Sequence, residues 1–130
     1  MKNKIIYFIL SFCFIFFISC QKNKDNIAPT IELISPNEND TLISTLSDYF
    51  IKFIAHDETE LAKETISITD INGTVLSKEN RTIHGTDYNY TNSFVFSGTK
   101  GQFKKLILEI KIEDKVGNNS MKSIPFFVKL

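Results

Sequence analysis

Apolar and polar residues alternate with a period of two along most of the chain beyond residue 29. In the clearest stretch, every second residue from Leu106 to Ile112 is leucine or isoleucine. Such alternation is typical of a strand with one face on a core and the other in water. The pattern predicts seven strands, at 30–35, 49–56, 64–69, 74–77, 88–97, 106–113 and 123–130. Residues 61–64 are expected to form one helical turn at most.

Turn-forming residues separate these strands at spacings that favour a sandwich. Asn72-Gly73 predicts a hairpin turn, because both residue types tolerate positive φ. Gly117 and Asn118 are expected to close the last hairpin in the same way, with Asp114 accepting hydrogen bonds from the turn amides. The predicted fold is therefore an all-β, antiparallel sandwich of about seven strands, forming one domain over residues 29–130.

The N-terminal twenty residues depart from this pattern. Lys2 and Lys4 precede an uncharged run from Ile5 to Ile18. This length suits the core of a signal peptide and is short for a membrane span, which needs about 20 apolar residues. An uncleaved anchor and an ordinary secretory signal are the alternatives to a lipoprotein signal.

The run ends in Phe17-Ile18-Ser19-Cys20. This resembles the lipobox of bacterial lipoproteins, in which a small residue precedes an invariant Cys. The resemblance implies that residues 1–19 are removed and that Cys20 is lipidated, with residues 20–28 forming a polar tether. Gln21 replaces the Asp that favours inner-membrane retention in enterobacterial lipoproteins, so the resemblance implies the outer membrane. It leaves open the periplasmic or the surface-exposed leaflet.

Composition narrows the class of protein further. Fifteen Lys and Arg balance fifteen Asp and Glu, so the chain lacks the basic excess of a nucleic-acid-binding protein. Its two cysteines are Cys13, which would leave with the leader, and Cys20, which would be alkylated. The processed chain is therefore expected to have no disulfide, no cysteine nucleophile and no thiolate metal site.

Three motifs occur in order along the predicted domain. They are Pro-Thr-Ile-Glu-Leu-Ile-Ser-Pro at 29–36, Ile-Ala-His-Asp at 54–57 and Asp-Lys-Val-Gly-Asn at 114–118. Together they resemble bacterial Ig-like domains, most closely those of small Bacteroidetes lipoproteins. The resemblance implies an Ig-like β-sandwich. It does not extend to antibody domains, whose intersheet disulfide and buried Trp are missing here.

In an Ig-like order of strands, the loops at 57–63, 80–87 and 114–119 share one pole of the sandwich. That pole would gather acidic side chains, and carboxylates are ligands that Ca²⁺ prefers. The candidate Ca²⁺ ligands are Asp57, Glu58 and Asp114. The alternative is a solvated acidic rim whose carboxylates cap turns.

Two further kinds of site are predicted. Tyr49, Tyr88 and Tyr90 could stack on sugar rings of a glycan, although their parity with core phenylalanines also allows burial. Thr41 lies in Asp40-Thr41-Leu42, which resembles the O-glycosylation motif of exported Bacteroidetes proteins, in a predicted loop.

The leading functional hypothesis is a lipid-anchored, non-catalytic interaction or accessory module of the cell envelope, attached to the membrane by its N-terminal lipid. An envelope protein or a glycan would be its partner, with no nucleic acid and no cofactor unless the acidic pole takes Ca²⁺. The alternative is a Ca²⁺- or glycan-binding module at the cell surface. A hydrolase is a remote alternative, because so small a sandwich has little wall with which to enclose a pocket. The oligomeric state stays open.

Overall fold

A computed structural model of the chain describes residues 25–43 and 49–130. The predicted signal peptide, Cys20 and the start of the tether lie outside the described residues. Among the residues that are described, no helix is long and apolar enough to cross a membrane.

The described chain forms eight strands and no helix. They are β1 Thr30–Ser35, β2 Thr41–Ile43, β3 Tyr49–His56, β4 Leu61–Asp70, β5 Val75–Thr82, β6 Asp87–Phe94, β7 Phe103–Asp114 and β8 Asn119–Lys129. Seven of them correspond to the predicted strands. The eighth, β2, has three residues, which is too short for an alternating pattern to stand out.

Two sheets build a β-sandwich, as predicted. One sheet has the order β1-β3-β6, and the other has the order β2-β8-β7-β4-β5. All neighbours are antiparallel except β2 and β8, which pair in parallel. In Ig terms, β1, β3 and β6 take the places of strands A, B and E, while β4, β7 and β8 take those of C, F and G.

The core lies between the sheets and follows the alternation in the sequence. Every second residue of β7 from Leu106 onward is buried, as is every second residue of β8 from Ile124. The facing sheet contributes Ile51, Phe53 and Ala55 of β3 and Tyr90 of β6. Residues 25–130 contain no cysteine and so form no disulfide with one another. Apolar burial is therefore the main source of stability for this domain.

A β-bulge in β4 explains one wrong prediction. Leu61 and Ile66 are both buried, although their odd and even numbers would place them on opposite faces of a regular strand. The pairing with β7 slips between Leu61 and Lys63, which leaves Ala62 as an extra residue. The break in periodicity is therefore a bulge within a longer strand, and the predicted helical turn at 61–64 is wrong. Beyond the bulge the alternation is regular, and Glu64 faces the core together with Ile66 and Ile68.

The loops lie at two poles. The carboxylate pole comprises residues 25–29 and the loops 57–60, 83–86 and 115–118. The amide of Asp57 donates to the Thr86 carbonyl (2.9 Å), and that of Lys115 donates to the Glu60 carbonyl (3.0 Å). These bonds confirm the predicted meeting of three loops. The apolar pole, at the other ends of the strands, comprises the turn 71–74, the connection 95–102, Leu130 and the strand ends next to them.

Candidate functional sites at the two poles

Asp57 directly follows β3 and organises the loop that leads to β4. Its Oδ1 accepts hydrogen bonds from the Thr59 amide (2.9 Å) and the Thr59 hydroxyl (2.7 Å). The residue is only 3% exposed, and its Oδ2 is buried without a hydrogen-bond partner. A buried carboxylate oxygen that has lost water and gained no donor is costly, so this atom requires an explanation.

Asp114 is the last residue of β7 and closes the hairpin to β8. Its Oδ1 accepts the amides of Val116 (2.9 Å) and Asn118 (2.8 Å), and its Oδ2 accepts Asn118 Nδ2 (2.7 Å). Gly117 has a φ of +95°, a conformation that favours glycine. The predicted turn chemistry is confirmed for Asp114 and Gly117. Asn118 does not take positive φ; its side chain ties the hairpin to the N-terminal segment instead.

Asp25 belongs to the segment that the sequence assigns to a structureless tether, yet it contacts the sandwich. Its Oδ2 accepts the Thr59 hydroxyl (2.7 Å), and its Oδ1 accepts the Ile27 amide (2.9 Å). Asn118 Nδ2 donates to the carbonyls of Asp25 (3.2 Å) and Ile27 (3.1 Å). The Ile27 amide, followed by the Thr59 hydroxyl, lowers the pKa of Asp25. The last residues of the predicted tether form no strand or helix, but from Asp25 onward they contact the sandwich.

These three aspartates form one cluster. A carboxylate oxygen from each of Asp25, Asp57 and Asp114 lies within 4.8 Å of the other two. Among the described residues, none of the three forms an ion pair. The basic side chains of this pole contact other acids: Lys115 Nζ lies 2.5 Å from Glu60, and His56 Nδ1 lies 2.8 Å from Asp87. Three carboxylate oxygens at this spacing can share one divalent cation.

The predicted Ca²⁺ ligands are thus only partly brought together. Asp57 and Asp114 meet as the strand order requires, whereas Glu58 is exposed and lies outside the cluster. Asp25 takes its place. The sequence carries no local signal for this, because the contacts of the Asp25 segment join residues 34 to 93 positions apart.

Tyr88 and Tyr90 do not form an exposed stacking platform. The ring of Tyr90 stacks on Phe53 with centroids 4.9 Å apart, and its hydroxyl donates to Glu79 (3.0 Å). Burial raises the pKa of Tyr90 well above its usual value. A sugar cannot reach this covered ring, so the prediction is wrong for Tyr90. Tyr88 is half-buried beside Phe53, and the side chain of Tyr49 lies outside the described residues.

Thr41 is exposed, as a modified residue must be, but it does not lie in a loop. It is the first residue of β2 and pairs with Phe127 of β8.

A buried acid between the poles escaped the sequence analysis. Neither carboxylate oxygen of Glu64 has a hydrogen-bond partner, and the nearest cationic atom is Arg81 Nε at 3.9 Å. Burial raises the pKa of Glu64. The signal that could have found it is its parity with Ile66 and Ile68, because regular alternation along β4 places all three side chains on the core side.

The apolar pole exposes five large apolar side chains, with exposed fractions from 47% to 88%. They are Ile71, Val75, Leu76, Val95 and Phe103. We call this set the apolar face. Four of them line two adjoining depressions of about 280 and 370 Å³, which share Leu76 and Lys104. A contiguous set of exposed apolar side chains commonly marks a site of interaction.

Comparison with known proteins identifies no family for this chain. The chain matches no protein-family model and no curated protein sequence. The functional conclusions therefore depend on the two poles themselves.

Proposed function

We propose that this chain is a lipid-anchored, non-catalytic module of the bacterial cell envelope that binds a protein partner through its apolar face. The observation that carries the proposal is the position of that face. It lies at the pole opposite residues 25–29, the segment through which a chain anchored at Cys20 enters the sandwich. A module tethered at one end would present the other end to a partner.

Charge indicates the chemistry of the partner. Three lysines lie beside the apolar face. Lys104 and Lys105 line its depressions, and Lys129 Nζ lies 5.4 Å from the centroid of the Phe103 ring. Among the described residues that line the two depressions, Asp70 is the one acidic side chain. Its Oδ1 already accepts hydrogen bonds from two turn amides. An apolar segment flanked by carboxylates would complement such a surface.

The absence of catalysis is also part of the proposal. Of the two depressions, one is lined by a single acid, Asp70, and the other by none. The His56–Asp87 pair is exposed, and among the described residues no hydroxyl donates to the His56 ring. These features favour binding over hydrolysis.

Site-specific photocrosslinking in the native host tests the partner face. A photoreactive residue at Val95 or Phe103 should give one discrete adduct with a protein. Met121 is the matched control, since it is as exposed (61%) as Phe103 (60%) but lies on β8 away from the apolar face. F103T and K104E should each weaken the adduct formed from Val95. No adduct at either position, or the same adduct from Met121, would contradict the proposal.

Detergent partitioning tests the anchor separately. The full-length chain should enter the detergent phase, incorporate labelled palmitate and run at a processed mass. C20S should lose all three properties. Retention of detergent partitioning by C20S at the processed mass would rule out lipid anchoring.

A further inference from the structure

Hydrogen-bond donors are too few for the acceptors at the carboxylate pole. The Thr59 hydroxyl has one proton but lies 2.7 Å from both Asp25 Oδ2 and Asp57 Oδ1. Asn118 Nδ2 has two protons but faces three acceptors, the carbonyls of Asp25 and Ile27 and the Asp114 carboxylate. Asp57 Oδ2 is buried and has no donor at all. Among the described residues, no basic side chain forms an ion pair with any of these three carboxylates.

We infer that Asp25, Asp57 and Asp114 bind one Ca²⁺ ion, which joins the N-terminal segment to the sandwich. The ligand set consists of carboxylate oxygens without His or Cys, the hard donors that Ca²⁺ selects over transition metals. Two oxygens bound at about 2.4 Å lie at most about 4.8 Å apart, which matches the spread of the cluster. Water and backbone carbonyls complete its six to eight ligands.

Burial separates this cluster from an acidic surface patch. Asp57 and Asp114 are 3% and 2% exposed, and each carboxylate is held by backbone amides at the end of a strand. Ligands held in this way lose little conformational freedom when an ion binds. Asp25 is the half-buried member and arrives from a different segment, so the ion closes a contact between distant parts of the chain.

The third ligand gives the ion a role. Asp25 lies five residues after Cys20, so a bound Ca²⁺ would hold the sandwich close to its point of attachment and restrict its rotation. This consequence rests on the proposed lipid anchor, whereas ion binding does not. Partner binding at the opposite pole is likewise independent of the ion.

Calorimetric titration of the full-length chain in non-ionic detergent with CaCl₂ tests the ion. We expect a saturable heat for one ion per chain, with a dissociation constant on the order of 10⁻⁴ M, as in extracellular modules. D25N and D57N should each weaken binding at least about tenfold, while the neighbouring E58Q should not. Absence of a saturable heat in the unsubstituted chain, or unchanged binding by D25N and D57N, would overturn the site.

Hydrogen exchange tests the joining of the two segments. Ca²⁺ should slow exchange of the Ile27 amide in the unsubstituted chain but not in D25N, whose substitution lies outside every strand and should leave the fold intact. If D57N fails to fold, D25N alone decides the question. Calcium binding without slower exchange at Ile27 would retain a metal site but exclude Asp25 as its link to the tether.

Discussion

The two poles contain the same hairpin turn in two different settings. At the apolar pole, Asp70 Oδ1 accepts the amides of the second and fourth residues after it, Asn72 and Thr74. At the carboxylate pole, Asp114 Oδ1 accepts the corresponding amides of Val116 and Asn118. A glycine with positive φ occupies the same position in both turns, with φ of +84° at Gly73 and +95° at Gly117.

The two turns differ in the surroundings of the aspartate carboxylate. The Asp70 carboxylate is only half-buried, and among the described residues no group outside the turn donates a hydrogen bond to it. Asp114 is buried, binds the Asn118 side chain and lies beside two other aspartates. Turn closure therefore explains the aspartate at both poles, but it does not explain the cluster at one of them. Asp70 is an internal control for every experiment on Asp114.

Removing the two aspartates should give unequal losses of stability. D114A deletes three hydrogen bonds to a buried carboxylate and leaves the turn amides of Val116 and Asn118 without acceptors, so we expect the free energy of unfolding to fall by about 2 to 4 kcal/mol. D70A, in a half-exposed turn, should cost clearly less. Urea unfolding of both variants in EDTA measures the difference without a metal contribution. Equal losses would show that burial adds nothing to the Asp114 turn.

Replacing the two turn glycines should instead give equal losses. A Cβ at Gly73 or Gly117 would meet no atom within 4 Å, so the cost arises from positive φ alone. We expect G73A and G117A each to lower the free energy of unfolding by about 1 to 2 kcal/mol in the same urea assay. A much larger loss for G117A would mean that the two turns differ in their backbone and not only in the surroundings of the aspartate.

Glu64 is a buried carboxylate that, unlike Asp114, accepts no hydrogen bond from the amides of a turn. Its pKa is raised above the usual 4.5, so the folded chain retains a proton that the unfolded chain releases. The associated stability is complete below pH 4.5 and declines as pH rises through the folded pKa. E64Q carries no charge to bury, so its melting temperature relative to the unsubstituted chain should be higher at pH 7.5 than at pH 4.5. The exposed E32Q should show no such dependence on pH, and a constant difference for E64Q would contradict the assignment.

The smallest effect on stability is expected at the apolar face. V95S and F103T replace exposed side chains, so each should change the free energy of unfolding by less than about 0.5 kcal/mol. Thermal unfolding measures this change. A larger loss would mean that the apolar face is part of the core and is not available to a partner.

The alternation of residues was enough to predict most of the fold. Strong periodicity marked β3, β7 and β8, where every second residue faces the core. The prediction from alternation failed at β2, which has only three residues. It also failed at Ala62, where the bulge changes which of the alternating positions of β4 face the core. The end of β5 was also missed, because this edge strand is mostly exposed and polar.

The site was predictable only where it depends on topology. Strand order brings Asp57 and Asp114 to one pole, and both follow from the sequence. Asp25 does not, since its place depends on contacts with Thr59 and Asn118 that no local pattern encodes. Glu58 was a reasonable candidate beside Asp57, but it stays exposed to solvent.

The most direct test of the contrast between the poles uses one sample that reports on both turns. Amide NMR of the full-length ¹⁵N-labelled chain in detergent, titrated with CaCl₂, observes Ile27, Val116 and Asn118 together with Asn72 and Thr74. We predict saturable shifts at the first three amides and none at the last two. Shifts of equal size at both turns, or no saturable shift at the carboxylate pole, would contradict the account.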